Sequence, residues 1–186
     1  MQHAHSAQQM IVVLGMHRSG TSLCANMLQA MGADMAEAPH PGPANARGHW
    51  ERPWVNDLND RLFGLYDRHW ADPAHVLDMP EHWLGDPRVR DLQRQAVHWL
   101  APRLGGAAPF GVKDPRMSRL MPFWDGVFAA AGAAPRFVLC VRDPAQSARS
   151  VAARDGMRPE AAEYRWLIYT AAAVRGVGEA PVCVVP

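Results

Sequence analysis

The run Gly15–Ser22, GMHRSGTS, directly follows the apolar stretch IVVL. Gly15 and Gly20 allow the backbone to approach a bound group closely. Ser19, Thr21 and Ser22 supply hydroxyl donors, and Arg18 supplies a planar cationic fork that matches an oxyanion. A helix starting just after Gly20 would add unpaired N–H groups and the positive end of its dipole. These residue types in this order fit a phosphate or sulfate group. A nucleoside-triphosphate loop, G-x-x-x-x-G-K-[ST], has the same glycine spacing but a lysine after the second glycine. Thr21 occupies that place, so the loop's charge has to come from Arg18.

Three further clusters carry chemistry. In VRDPAQSARS, Arg142 leaves an apolar run and Ser150 follows about two helical turns later. A guanidinium paired with a hydroxyl suits a second phosphate. The rival reading of the same run is a magnesium-binding strand end with Asp143 as ligand. In ARGHWE, His49 and Glu51 close a loop before a helix, and each is a candidate general base. The simpler reading of Glu51 is a helix-start carboxylate facing the dipole. In GVKDPR, Lys113 ends a short strand and Asp114 and Arg116 flank Pro115. That is either a salt-bridged turn or a cation near a transferred group.

The elements that must position these residues alternate between strand and helix. MIVVLG reads as a buried parallel strand, and TSLCANMLQAMG as a helix with Leu23, Met27, Leu28 and Met31 on an apolar stripe. DMAEAPHPGPANARGH is a loop by its Pro, Gly and Asn content. The next helix carries Trp54, Leu58, Leu62 and Leu65. ADPAHVLDMPEHWLGDP is irregular, and another helix carries Val89, Leu92, Ala96 and Trp99 or Leu100. PFGVK is a short strand, SRLMPFWDGVFAAAG a helix with Pro122 near its start, and Phe137–Val141 a buried strand. Two helices follow, AQSARSVAARDG and PEAAEYRWLIYTAAAVRGV, and PVCVV is a last strand. This order predicts an α/β domain with a mainly parallel sheet. In such folds ligands gather at the carboxyl ends of the strands, where GMHRSGTS, KDPR and RDP all fall.

Composition sets the bounds. The 186 residues suit a single domain over 11–186 after a flexible start at 1–10. A net charge of +1 gives no bulk electrostatic case for nucleic acid or an anionic membrane surface. Cys24, Cys140 and Cys183 lack C-x-x-C spacing, which argues against zinc and against a disulfide framework. They read as buried free thiols of a reducing compartment. The start MQHAHSAQQM lacks the pattern of a signal peptide, and no apolar run approaches the ~20 residues of a membrane span. The expectation is a cytoplasmic protein.

Taken together, the motifs resemble the sulfotransferase superfamily, enzymes that use 3′-phosphoadenosine 5′-phosphosulfate (PAPS), and its bacterial and carbohydrate-type members most of all. GMHRSGTS resembles their 5′-phosphosulfate loop. Arg142, Pro144 and Ser150 resemble their 3′-phosphate motif, GHWE their G-[YF]-[FW]-E element, and KDPR their K-x-P-R strand end. The resemblance runs in order from Gly15 to Ser150. It implies a P-loop-like, three-layer fold and sulfuryl transfer to a hydroxyl or amine, with PAPS as donor and no metal. Gly15, His17, Arg18, Ser19, Gly20, Thr21 and Ser22 would hold the 5′-phosphosulfate, and Arg142 and Ser150 the 3′-phosphate. Glu51 is the first choice for the base, His49 the second and His17 the third, with Arg18 and Lys113 stabilising the leaving group. One departure stands out: relatives continue past the strand matching PVCVV with a YEDL-like segment and a later basic element. The sequence therefore reads as a family domain truncated at Pro186.

Two alternatives come with this reading: a non-catalytic nucleotide-binding remnant and a P-loop kinase or NTPase. The acceptor is expected to be a small molecule, glycan or lipid, and the Trp-rich stretch Trp50–Trp83 either lines its pocket or packs the core. The residues leave the acceptor's identity and the oligomeric state open.

Overall fold

The computed structural model describes residues 8–35, 48–70, 72 and 78–186. Its centre is strand β1 (Gln8–Gly15), flanked by β2 (Phe110–Lys113) and β3 (Ala133–Cys140). Strand β4 (Val182–Val185) lies beyond β3, giving the order β2-β1-β3-β4 with every pairing parallel. Along β1, Met10, Val12 and Leu14 face one core while Ile11 and Val13 face a second on the opposite side. A strand buried on both faces has to be apolar throughout, which is why IVVL reads as an unbroken run.

Among the described residues six α-helices complete the layers: α1 (Thr21–Ala30), α2 (Pro53–Gly64), α3 (Pro87–Leu100), α4 (Met117–Ala131), α5 (Pro144–Asp155) and α6 (Pro159–Val177). Helix α1 covers one face of the sheet through Ala25, joined by Ala33, Met35 and Cys140. Residues of the other five helices build the larger core on the opposite face, around Leu58, Leu92, Trp124, Val151 and Tyr169. Two helical layers around a parallel sheet are the α/β, P-loop-like architecture that the strand–helix alternation implies. Chain direction along the sheet diverges at β1, whose neighbours β2 and β3 follow it on opposite sides. That makes the carboxyl end of β1 the topological switch point.

Several expectations need correcting. Strand β1 begins at Gln8, so Gln8–Met10 belong to the sheet and not to a flexible start. Strand β3 begins at Ala133 and ends at Cys140, one residue before Val141. In α4, Pro122 lies in the interior, because the helix already starts at Met117. The apolar stripe of α1 splits: Leu28 packs toward the sheet, but Leu23, Met27 and Met31 are 61, 57 and 79% exposed, while Thr21 and Ala25 are buried. Small side chains let α1 sit close behind the loop that precedes it. Helix α3 follows the expected periodicity, with Val89, Leu92, Ala96 and Leu100 buried. Most of the loop expected over residues 34–49 falls outside the described residues, although Asp34 forms a bridge to Phe110. The Trp residues of the 50–83 stretch pack on the cores. Trp54, which stacks on Trp99 at 4.6 Å, Trp83 and Trp70 pack on the larger one, with the Trp70 ring also 5.0 Å from that of His17, and Trp50 packs on the smaller one.

Candidate anion-binding site

The loop between β1 and α1 turns through two residues in the left-handed region, Arg18 (φ 67°) and Gly20 (φ 89°). A non-glycine residue there costs about 1–2 kcal/mol, so Arg18 is held by its surroundings. Alternation of this kind aims successive N–H groups into one concavity. Gly20 is the N-cap of α1, and no side chain caps that helix end. The N–H groups of the first turn are therefore available to an anion. Gly15 makes the start of the loop possible: a Cβ there would lie 2.6 Å from the Cys140 carbonyl oxygen and 3.1 Å from Thr21 Cγ2.

The loop opens into a cleft of about 220 Å³. His17, Arg18, Gly20, Thr21, Ser22, His49, Glu51, Lys113 and Arg142, all assigned from the sequence, line it. Gly15 and Ser19 of the same loop are buried and do not line it, and the Ser19 hydroxyl finds no protein partner among the described residues. Ser150 reaches the cleft through Arg18, whose Nε donates to Ser150 Oγ at 2.9 Å. Arg142 Nη1 donates to the Arg18 carbonyl at 3.2 Å and Nη2 to Gln146 at 3.0 Å. The two motifs expected to hold two different phosphates thus meet directly at Arg18.

Lys113, the chain's one lysine, is buried and uses its ammonium fully. It donates to Glu51 Oε1 at 2.6 Å, to the His49 carbonyl at 2.8 Å and to Ser22 Oγ at 3.1 Å. The residues after it form a structural turn. Asp114 is buried, accepts from Asn59 and pairs with Arg116, which also reaches Asp60 at 2.7 Å. In GVKDPR, Asp114 and Arg116 tie a salt-bridged turn, and Lys113 faces the cleft.

Electrostatics sort the candidate bases. Burial pushes the Glu51 carboxyl up, but the charge and hydrogen bond of Lys113 outweigh it, helped by Arg116 and by Asn56 at 3.0 Å. The net effect holds Glu51 below the ordinary carboxylate range. Burial, then Arg154, Arg116, Lys113 and Arg165, keep His17 well below its usual value, so its ring is neutral at pH 7. Its Nε2 is buried without a partner among the described residues. His49 is shifted down as well, mainly by burial, with Glu51 opposing.

Two contributors were missed from the sequence. Arg154 lines the cleft and stands 5.5 Å over the Trp70 ring. Its signal was present, since it follows Ser150 by one helical turn on α5. Asn56 holds the second oxygen of Glu51, one turn into α2. Asp143, the rival magnesium ligand, caps α5 instead, accepting from the Gln146 N–H at 2.8 Å. Among the described residues no helix is long and apolar enough to cross a membrane.

Four cations, Arg18, Lys113, Arg142 and Arg154, thus face one carboxylate across an uncapped helix end at the switch point of a parallel sheet. A family model described as "Sulfotransferase family" matches residues 10–175, a span that contains every one of these groups. No curated protein matches the chain. With nine-tenths of its length matched and the cleft at the matching strand ends, the chain belongs to the sulfotransferase family.

Proposed function

We propose that this sulfotransferase-family chain moves a sulfuryl group from PAPS to a hydroxyl or amine of a small-molecule, glycan or lipid acceptor. The observation that supports this reading most is the uncapped α1 terminus ringed by Arg18, Lys113, Arg142 and Arg154. At about 220 Å³ the cleft is smaller than the ~300–1,000 Å³ of a whole small-molecule site, so it suits the charged end of a donor. The buried Ser19 hydroxyl without a protein partner fits an additional anion contact.

The donor supplies an activated sulfuryl group with a phosphate leaving group. Arg18, Ser19, Gly20, Thr21 and Ser22 would bind its 5′ end through side chains and α1 amides, and Arg142 with Ser150 would bind its 3′-phosphate. In-line attack on sulfur breaks the sulfur–oxygen bond to the 5′-phosphate and leaves negative charge on the bridging oxygen. Arg18 and the helix terminus would stabilise that charge as they stand, and Lys113 by moving toward it. Alignment of acceptor and donor supplies much of the rest. Glu51 would take the acceptor proton: it is ionised at neutral pH, and movement of Lys113 toward the leaving phosphate would free its Oε1.

Calorimetry with adenosine 3′,5′-bisphosphate and with ATP plus Mg²⁺ tests the donor. Metal-independent binding of the bisphosphate, lost in Arg142→Ala, is the expected result. A preference for ATP with Mg²⁺ would overturn it in favour of a P-loop kinase or NTPase, and binding of neither would favour a non-catalytic remnant. The base is tested by Glu51→Gln, which should lose turnover and keep bisphosphate binding; full turnover would remove Glu51 from that role.

A further inference from the structure

We propose that Cys24 and Cys140 are an oxidative modification site, a thiol pair beneath the anion loop that hydrogen peroxide converts reversibly to an intramolecular disulfide. The two residues lie 116 positions apart, yet the fold joins them. Cys140 ends β3 opposite Gly15 in the register, and Cys24 stands in the first turn of α1 and packs against the smaller core to which Cys140 belongs. They are the two cysteines of that core, and each thiol perturbs the protonation of the other. Cys183 is exposed on β4.

The pair is asymmetric in the way a reactive thiol and its resolving partner have to be. Cys24 is partly exposed and reachable from solvent, and Cys140 is buried. The hydrogen bond from Cys140 brings the Cys24 thiol down to about 7, against an opposing effect of burial. The amide end of α1 favours the thiolate further. The same contact, with burial, pushes the Cys140 thiol up, so Cys140 keeps its proton and acts second.

The chemistry balances with peroxide as the only oxidant. The Cys24 thiolate attacks one peroxide oxygen, the O–O bond breaks, and hydroxide leaves, taking up a proton to become water. Cys24 is now a sulfenic acid. Cys140 loses its proton and attacks the Cys24 sulfur, the S–O bond breaks, and the second oxygen departs as water. Two thiols are oxidised by two electrons and one peroxide is reduced to two waters. The bond joins the helix of the anion loop to the strand that leads into Arg142.

The test uses the full chain, reduced and freed of reductant, then treated with hydrogen peroxide at neutral pH. Peptides are mapped by mass spectrometry without reduction. The expected product is a Cys24–Cys140 cross-linked peptide pair, two hydrogens lighter and restored by dithiothreitol. It should form about tenfold faster than Cys183 is oxidised, because the Cys24 thiol is lowered and has a resolving partner. Because Cys140→Ser alters the core, Cys24→Ser at the partly exposed position is the companion variant, and it should leave Cys140 unmodified. A Cys140–Cys183 bridge, Cys183 reacting first, or Cys24 passing to sulfinic acid with Cys140 still reduced would each overturn the proposal. The mass readout needs neither donor nor acceptor, so it is independent of the transfer reaction.

Discussion

The chain makes the same connection twice and ends it in opposite ways. After β1 the loop enters α1 through Gly20 with no side-chain cap, and Arg18, Ser22 and Lys113 gather around the open terminus. After β3 the loop enters α5 through Asp143, whose carboxylate takes the Gln146 N–H and closes that terminus with the protein's own anion. Both junctions sit at carboxyl ends of neighbouring parallel strands, so topology alone would make either an anion site. The cap decides. The first junction offers amides and the second offers side chains, Arg142 through the strand end and Ser150 and Arg154 from the helix. Arg18 joins them, donating to Ser150 and accepting from Arg142 through its carbonyl.

The strongest way to break the contrast is to remove the cation that braces the open junction. Lys113→Met leaves the Glu51 carboxylate buried beside Ser22 without its main partner. Breaking a buried pair from one side costs about 3–5 kcal/mol, which urea denaturation at pH 7 should register. The same variant should shift the acid dependence. In the unmodified chain Glu51 is held below its ordinary value, so its contribution is complete above about pH 4.5 and is lost as pH falls through the depressed value. With the lysine gone, burial dominates, the folded value rises above the unfolded one and the sign reverses: the variant should gain stability as pH falls through the raised value.

The next effect is on turnover. Arg18→Ala removes the guanidinium shared by both junctions, and by comparison with loss of one preorganised transition-state donor the rate should fall about 10²–10³-fold. Steady-state rates with a sulfuryl donor measure this, and a change below tenfold would remove Arg18 from leaving-group stabilisation. A pH profile sharpens the base assignment without a mutation. With Glu51 as base, activity stays flat through neutral pH and falls only below about 4.5; an acid limb between there and about 6.5, the usual histidine value that burial lowers at His49, would point to His49 instead.

The smallest effect is at the closed junction. Asp143→Ala uncaps α5 and should lower stability by about 1 kcal/mol, seen as a melting shift of about 2–4 °C for a chain of this size. Bisphosphate binding should persist in that variant, because the open junction is untouched. Abolished binding would show that the two junctions do not divide the work as described.

Much of this was legible residue by residue. The buried run before Gly15, the helix starting at Thr21 and the Val89–Leu92–Ala96–Leu100 stripe follow from periodicities that local backbone geometry imposes. The glycine spacing and the hydroxyl cluster announced an anion loop, because only those residue types satisfy its geometry. The orientation of α1 was not legible. Most of its apolar stripe, Leu23, Met27 and Met31, points to solvent while Thr21 and Ala25 point inward, since close approach behind the loop outranks hydrophobicity there. Asp143 was ambiguous for a similar reason, since a carboxylate at a strand end is a metal ligand or a cap according to where the next helix begins.

The sequence by itself determined the order of strands and helices, the glycine loop after β1 and the family motifs, because each is written in a window of a few residues. Only the tertiary structure decided which side chains meet: Lys113 with Glu51 across 62 positions, Arg18 with Ser150 across 132, and the thiols of Cys24 and Cys140. Those contacts depend on the order β2-β1-β3-β4, which brings the ends of strands far apart in the chain to one edge of the sheet. Burial and neighbouring charge then set the protonation of Glu51 and His17, and neither is a property of a residue read alone.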